Sequence, residues 1–382
     1  MGAWPLPDTH FSRWGHRACF EAIRPSLFRG IGNASIERRP AFVYIGPRMN
    51  IFLYPYSWVS RGVGRVKNRL YRAGIFASKK AGVKVVSVGN ISLGGTGKTP
   101  LVMELVRFLQ NEGYRPALVT RGYKGRWEKH GGILTDGQRF YGRWQESGDE
   151  PFMAARNVPG AGVFVGRHRL RSCRLAKVKG FDAAVLDDGF QHRRLHRDLD
   201  IVLFNPEEKI LREPEASLER ARIILLPEEA MSLQADALAR RFPEARLFAY
   251  SVQAKGFFKV GGKHHPASAE DLKEAAPLAF CGIARPERFF ELLRLQGLRP
   301  EPVLSFPDHH PYPESTLTKI LLKARQSKAR AAITTEKDAV KLAEHSAFLK
   351  ELPLYYLKIG LKVEAGFFDQ VRKALRAGER RG

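Results

Sequence analysis

The stretch SVGNISLGGTGKTP, residues 87–100, constrains the fold more than any other part of the chain. It sets GKT behind a glycine-rich turn, between a β-branched run at 83–88 and a segment at 100–110 whose Leu101, Leu105 and Phe108 share one helical face. Strand, glycine loop and helix in that order aim backbone N–H groups at a phosphate. The strict pattern begins with glycine, and here Ser92 holds that position. Gly94 and Gly95 fall inside the loop instead, so a tight turn still leaves room for a phosphate. On this reading Gly94, Gly95, Thr96, Gly97, Lys98 and Thr99 bind the nucleotide. Lys98 reaches the β and γ oxygens and Thr99 stands beside a magnesium ion. Pro100 suits the first helical turn, where its missing N–H costs nothing.

A second feature answers the first. In FDAAVLDDGFQHRRLHRDLD, residues 181–200, an apolar strand ends in Asp187 and Asp188, which offer the hard oxygen ligands that nucleotide-bound magnesium needs. Two adjacent like charges at a strand end are costly without a counter-ion. Gly189 lets the chain turn away, and His192, Arg193, Arg194, His196 and Arg197 supply groups suited to phosphate oxygens. Loop and acidic strand end together point to phosphoryl transfer or nucleotide hydrolysis rather than simple binding.

Further apolar strands are expected at 116–120, 200–204 and 222–226, separated by segments long enough for crossovers, which implies an α/β fold with a P-loop NTPase-like, mostly parallel sheet. Residues 121–142, rich in glycine and charge, read as a loop or small hairpin over the sheet. A second, smaller α/β lobe is expected from near Phe248, with strands at 278–281 and 352–363 and a helix over PERFFELLRLQG. The organisation is then an extension at 1–40, a membrane-interface segment at 41–80, a P-loop lobe at 81–245 and the second lobe at 246–382.

Charge narrows the partners. The 382 residues carry 64 Lys and Arg against 39 Asp and Glu, a formal net charge of +25. That admits nucleic acid, anionic lipid or phosphorylated small molecules. Its distribution favours lipid: no acidic residue occurs between Arg38 and Met103, and MNIFLYPYSWV lies in that window. There Val59, Val63, Val66 and Leu70 fall on one helical face and Arg61, Arg65, Asn68 and Arg72 on another. With its aromatic residues the segment reads as an N-terminal amphipathic helix on an anionic membrane surface. A helix packed on the protein's own core fits the same pattern. Pro55 interrupts the apolar run, which is too short for a confident span. No compact nucleic-acid-binding module is evident, so no nucleic-acid partner is expected. Residues 1–38 lack the pattern of a secretory signal. Cys19, Cys173 and Cys281 lie far apart without metal-ligand spacing, pointing to a reducing compartment.

The motifs in series resemble the tetraacyldisaccharide 4'-kinases of lipid A synthesis, from roughly residue 42 to residue 370. They are SVGNISLGGTGKTP, TRGYKG at 120–125, SGDEP at 147–151, VGRHR at 165–169, LDDGFQH at 186–192, LREP at 211–214, FPDHH at 306–310 and TTEKDAVK at 334–341. The resemblance implies transfer of the ATP γ-phosphoryl group to the 4'-hydroxyl of a tetraacylated disaccharide 1-phosphate, on the cytoplasmic face of the bacterial inner membrane. It also implies a dyad of Asp149 and His309; we assign Asp149 as the base and His309 to orient it or share the proton, the reverse division being chemically open. Lys98 and Asp188 complete the expected catalytic set, and Arg121, Arg167, His192, Arg212 and Glu213 are expected at substrate or interlobe contacts. The alternative is a P-loop GTPase or metallochaperone-like hydrolase, which would carry a base-specificity motif such as NKxD; TEKD at 335–338 lacks the asparagine.

Overall fold

The computed structural model describes residues 43–44, 62, 69–71, 73–92, 97–208, 210–262 and 266–379. The first half runs β1 (Val43–Tyr44), β2 (Lys84–Asn90), α1 (Lys98–Asn111), β3 (Pro116–Thr120), α2 (Trp127–His130) and β4 (Gly132–Thr135). Next come α3 (Trp144–Ser147), α4 (Asp149–Asn157), β5 (Gly162–Val165), α5 (Arg169–Val178), β6 (Ala183–Asp187), β7 (Leu199–Leu203) and β8 (Ile223–Pro227). The second half runs α6 (Glu228–Arg241), β9 (Arg246–Lys259), β10 (Pro266–Ala267), α7 (Ala269–Glu274), β11 (Leu278–Cys281), α8 (Pro286–Leu295) and β12 (Val303–Ser305). It closes with α9 (Glu314–Ser327), β13 (Ala332–Thr335), α10 (Glu336–Leu342), α11 (Ser346–Glu351), β14 (Leu354–Val363) and α12 (Phe367–Glu379).

One sheet carries these strands in the order β1-β12-β11-β13-β14-β9-β8-β7-β2-β6-β3-β5-β4, with β10 paired to β9 off that path. Only the β9–β14, β4–β5 and β9–β10 pairs are antiparallel, so the mostly parallel sheet expected from sequence is found. Both of its faces are covered, as parallel sheets require. On one side of β2, Leu101, Leu105 and Leu109 of α1 pack with Phe367, Val371 and Leu375 of α12. On the other, Val85 packs with Cys173, Ala176 and Phe181. A separate cluster around Phe280, Leu304, Ile320 and Leu354 serves the second half.

The order of strands places the site. β2 lies between β6 and β7, with Val88 opposite Asp187 and Asn90 opposite Leu203. The chain leaves β2 in one direction across the sheet and later returns to β7 on its other side, a switch point where ligands collect at the carboxyl ends of strands. The boundary expected at 246 falls on the first residue of β9, which pairs in parallel with β8 and antiparallel with β14. The sheet therefore runs unbroken from one half into the other.

Two expectations are refined. Residues 121–142 do turn back on themselves, Thr135 bridging Phe140 antiparallel, but they also supply α2 and β4, which pairs with β5 at the sheet's edge. The amphipathic segment at 49–74 lies outside the described residues except for 62, 69–71, 73 and 74, and residues 1–40 lie wholly outside them. Among the described residues no helix is long and apolar enough to cross a membrane.

Candidate active site

The phosphate-loop side assembles at the ends of β2 and β6. Gly97, at φ 77°, turns the chain into α1, whose first residue is Lys98. Its Nζ donates to Asn90 Oδ1 at 3.0 Å and pairs with Asp188 Oδ1 at 2.9 Å. Arg212 pairs with the other oxygen, Asp188 Oδ2, at 2.9 Å. Asp188 itself holds the left-handed backbone conformation at φ 54°, a local cost that persists only where surrounding contacts fix it. Burial opposes ionisation of Asp188, but Lys98 and Arg212 outweigh it and hold the carboxyl well below the ordinary carboxylate range. Ser92, at the position of the missing glycine, is buried and forms an antiparallel bridge with Leu211, while the N–H of Arg212 donates to Ile91 O at 2.7 Å. The LREP segment is thus docked along the entry to the loop, and that docking delivers Arg212 to Asp188. Gly94, Gly95 and Thr96 lie outside the described residues.

Asp187 behaves differently from its neighbour. It is 6% exposed, and burial together with the nearby charge of Glu150 pushes its carboxyl up to about 7. A buried carboxyl disfavoured by burial and a like charge is one that a divalent cation would stabilise. Among the described residues no group of three His, Cys, Asp or Glu side chains gathers to hold a metal alone. Magnesium at nucleotide sites needs only one or two carboxylates, the remaining ligands being phosphate oxygens and water. Asp187 and Asp188 fit that demand, and Thr99, which follows Lys98 in α1, offers a hydroxyl. Arg169, also buried, donates to the backbone oxygens of Gly166 at 2.5 Å and Asp187 at 3.2 Å, fixing the end of β6 from behind.

Asp149 and His309, separated by 160 positions, meet. His309 Nδ1 lies 2.9 Å from Asp149 Oδ1 and 3.0 Å from Oδ2. Asp149 opens α4 and is 4% exposed. Its Oδ1 also accepts from Glu150 N at 2.9 Å, and Lys341 Nζ stands 3.5 Å from Oδ2. Burial again opposes ionisation, but the His309 hydrogen bond and the charges of Lys337, His309 and Lys341 win, holding the carboxyl at about 2. His309, at φ 60°, presents its second nitrogen, Nε2, to Lys337 Nζ at 3.2 Å. An ammonium can only donate, so Nε2 carries the lone pair and Nδ1 the proton that Asp149 accepts. The TRGYKG loop closes over this pair: the Tyr123 ring meets the His309 ring edge-on at 5.2 Å, and Lys124 Nζ donates to Asp308 O at 3.1 Å. A Cβ on Gly125 would stand 2.5 Å from Gly148 N, so only glycine lets this loop lie against the backbone that leads into Asp149.

The remaining expected residues scatter. Arg121 pairs with Glu128 of α2 at 2.6 Å. Arg167 is exposed, with its N–H donating to Glu128 O at 2.9 Å. His192 sits in the turn after Asp188, its N–H donating to Gly189 O at 2.9 Å. Glu213 is buried in an ion pair with Arg220, whose guanidinium lies 4.0 Å from the centre of the Phe190 ring, a structural arrangement beside the loop. Of the basic run, Arg197 grips Asp200 at 2.8 Å, while Arg193 and Arg194 accept, through their carbonyls, from Ser78 and Lys79. Sequence reasoning gave no role to Asn90, Asp308, Lys337 or Lys341. The signal for the lysines was present in TTEKDAVK, where positions 337 and 341 share a helical face.

The model of the LpxK family, tetraacyldisaccharide-1-P 4'-kinase, matches residues 49–376. The tetraacyldisaccharide 4'-kinase of Desulfotalea psychrophila is 33% identical over 341 residues, covering 84% of this chain and 95% of its own. That of Geobacter metallireducens is 39% identical over 289 residues, covering 73% and 84%. Among solved structures, the "apo" form of LpxK from Aquifex aeolicus in complex with ATP matches with a TM-score of 0.67 and 29% identity, over 85% of this chain and 98% of that one.

Proposed function

The chain belongs to the tetraacyldisaccharide-1-P 4'-kinase family, an ATP-dependent enzyme of lipid A biosynthesis, and on that premise we propose how its residues move the γ-phosphoryl group onto the 4'-hydroxyl of a tetraacyldisaccharide 1-phosphate. Lys98 and the backbone of the glycine loop hold the nucleotide phosphates, and Lys98 balances the charge that grows on the transferring group. Asp187, Asp188 and Thr99 would hold a magnesium ion, which would supply neutralisation of the phosphate charge. Arg212 fixes Asp188 on the side away from Lys98.

A sugar hydroxyl is a weak nucleophile, so a base must take its proton as the phosphoryl group arrives. The observation that carries the reading is the dyad geometry. Both Asp149 oxygens face His309 Nδ1 and the carboxyl is held at about 2, which makes Asp149 a poor acceptor. Nε2 is the ring's basic atom. His309 therefore takes the proton through Nε2, and Asp149 keeps the ring oriented and stabilises the imidazolium. This is the reverse of the division first expected, and both divisions use the same two residues.

The acceptor is an acylated disaccharide phosphate whose chains stay in a bilayer, each buried methylene adding about 0.8 kcal/mol to retention. The acid-free, aromatic and arginine-rich window at 49–74 supports peripheral docking on an anionic cytoplasmic surface, so that only the sugar need be lifted to the site. The test is nucleotide turnover by the purified protein with magnesium. Adding the tetraacyldisaccharide 1-phosphate should accelerate ADP release strongly, and a rate indifferent to that lipid would overturn the assignment.

A further inference from the structure

Lys337 lies at the centre of the dyad's surroundings and no step above uses it. Its side chain is 13% exposed, and its Nζ stands 3.2 Å from His309 Nε2, 3.1 Å from Glu150 Oε1 and 3.0 Å from Asp308 Oδ1. Three partners surround one ammonium, and only one of them is the atom that must receive a proton. The charge of Glu150 heads the interactions that offset burial and push this lysine's own proton affinity up, so it stays an ammonium.

We propose that Lys337 is a positioning residue that caps the accepting lone pair of His309 Nε2 until the acceptor hydroxyl replaces it. The inference rests on His309 being the base. Two forces act on the ring from opposite sides. Asp149 accepts from Nδ1 at 2.9 Å, while at Nε2 the Lys337 ammonium donates to the lone pair at 3.2 Å with Asp308 Oδ2 standing farther off at 3.7 Å. When a sugar hydroxyl approaches Nε2, the ammonium need not leave the pocket, because the carboxylates of Glu150 and Asp308 already hold it. A small rotation of the side chain exchanges one neutral acceptor for contacts it already has. The hydroxyl proton then passes to Nε2, the oxygen bonds to phosphorus, and the bond from phosphorus to the ADP oxygen breaks. The charged and titratable groups around the ring are Asp149 and Glu150 from α4, Lys337 and Lys341 from α10, Asp308 from the ring's own loop, and Tyr123 and Lys124 from the TRGYKG loop, while the neighbouring His310 ring turns to Thr316 and Phe306. Lys341 is committed to Asp338 at 2.8 Å as well as to Asp149. Among these groups Lys337 alone contacts Nε2 with a positive charge.

The test uses the full-length protein carrying Lys337→Met, which keeps the aliphatic stem, and Lys337→Arg, which keeps the charge. In Lys337→Met the acid limb of the kcat/KM profile for the lipid should move to higher pH by about one unit, with KM for ATP little changed. Lys337→Arg should keep the limb near its original position. Nitrogen NMR of the labelled His309 ring, assigned through His309→Gln, should find a larger protonated fraction in Lys337→Met at a fixed pH near neutrality. If the ring becomes more protonated while the limb stays, His309 is not the base and that assignment falls. If neither moves in a protein whose melting curve is intact, Lys337 does not control the ring and the proposal is overturned.

Discussion

Asp149→Asn removes one charge and almost no volume. The carboxylate faces His309 Nδ1 at 2.9 and 3.0 Å, and the amide oxygen of asparagine can still accept from that N–H, so the ring should stay close to its place. What is lost is the charge that would face the imidazolium as the ring takes a proton. At an effective dielectric constant of about 20, unit charges about 4 Å apart interact by about 4 kcal/mol. At about 1.4 kcal/mol per decade, this predicts a fall in kcat of about 10³-fold, within the range of about 10² to 10⁴ typical of general-base catalysis. The KM for ATP should change by less than about threefold, because the phosphate loop is untouched. Stability should fall separately. A carboxyl held at about 2, below its unfolded value, contributes about 2 kcal/mol that is fully present above the ordinary carboxylate range and lost as pH falls toward 2. Lys341 keeps its 2.8 Å partner Asp338, so no buried cation is stranded. Steady-state kinetics across pH with the lipid acceptor, alongside thermal melts, separate the two effects. A kcat within threefold of wild type, with an unmoved pH profile, would refute the reasoning.

Lys98→Ala should lower turnover more than lipid association, and near-normal turnover would reduce Lys98 to a structural partner of Asp188. Magnesium added with a non-hydrolysable ATP analogue should raise the melting temperature of the wild type and not of Asp187→Asn; an equal rise in both removes Asp187 from the metal's ligands. Gly125→Ala drives a Cβ to within 2.5 Å of Gly148 N and should destabilise by about 1–3 kcal/mol while slowing transfer; an unchanged melting temperature and rate would mean the loop shifts freely. Deleting residues 1–78 should release the protein from anionic vesicles in flotation without unfolding it, and a truncated protein that unfolds would instead make the 49–74 segment part of the core.

The phosphate loop could be read because its evidence is local. Strand, glycines and helix succeed one another within a few residues, and observed β2 and α1 differ from their expected ends by one or two positions. The same holds for Asp187 and Asp188, which the strand pattern carries to the sheet's edge. Asp149 and His309 left no such trace. They come together because α4 and the loop after β12 converge at the same edge, and only the succession of family motifs pointed to them. Asn90 was hidden because a polar residue at a strand end looks like a turn. The basic run at 192–197 misled in the opposite way: Arg197 serves Asp200 three residues on, a short-range pair that spacing cannot distinguish from a phosphate contact. Lys337 and Lys341 shared a helical face, yet their meaning depended on which carboxylates that face would meet.

The central claim is that a phosphoryl group moves from ATP to the 4'-hydroxyl of an acylated disaccharide phosphate, and locating the transferred phosphorus tests it most directly. The full-length protein, magnesium, γ-labelled ATP and the tetraacyldisaccharide 1-phosphate are incubated together, and the lipid product is examined for label and by phosphorus–proton correlation. The account predicts label in the lipid, on the oxygen of C4', and little transfer to a disaccharide without acyl chains. Label found only as free phosphate, or on any other hydroxyl, would contradict it.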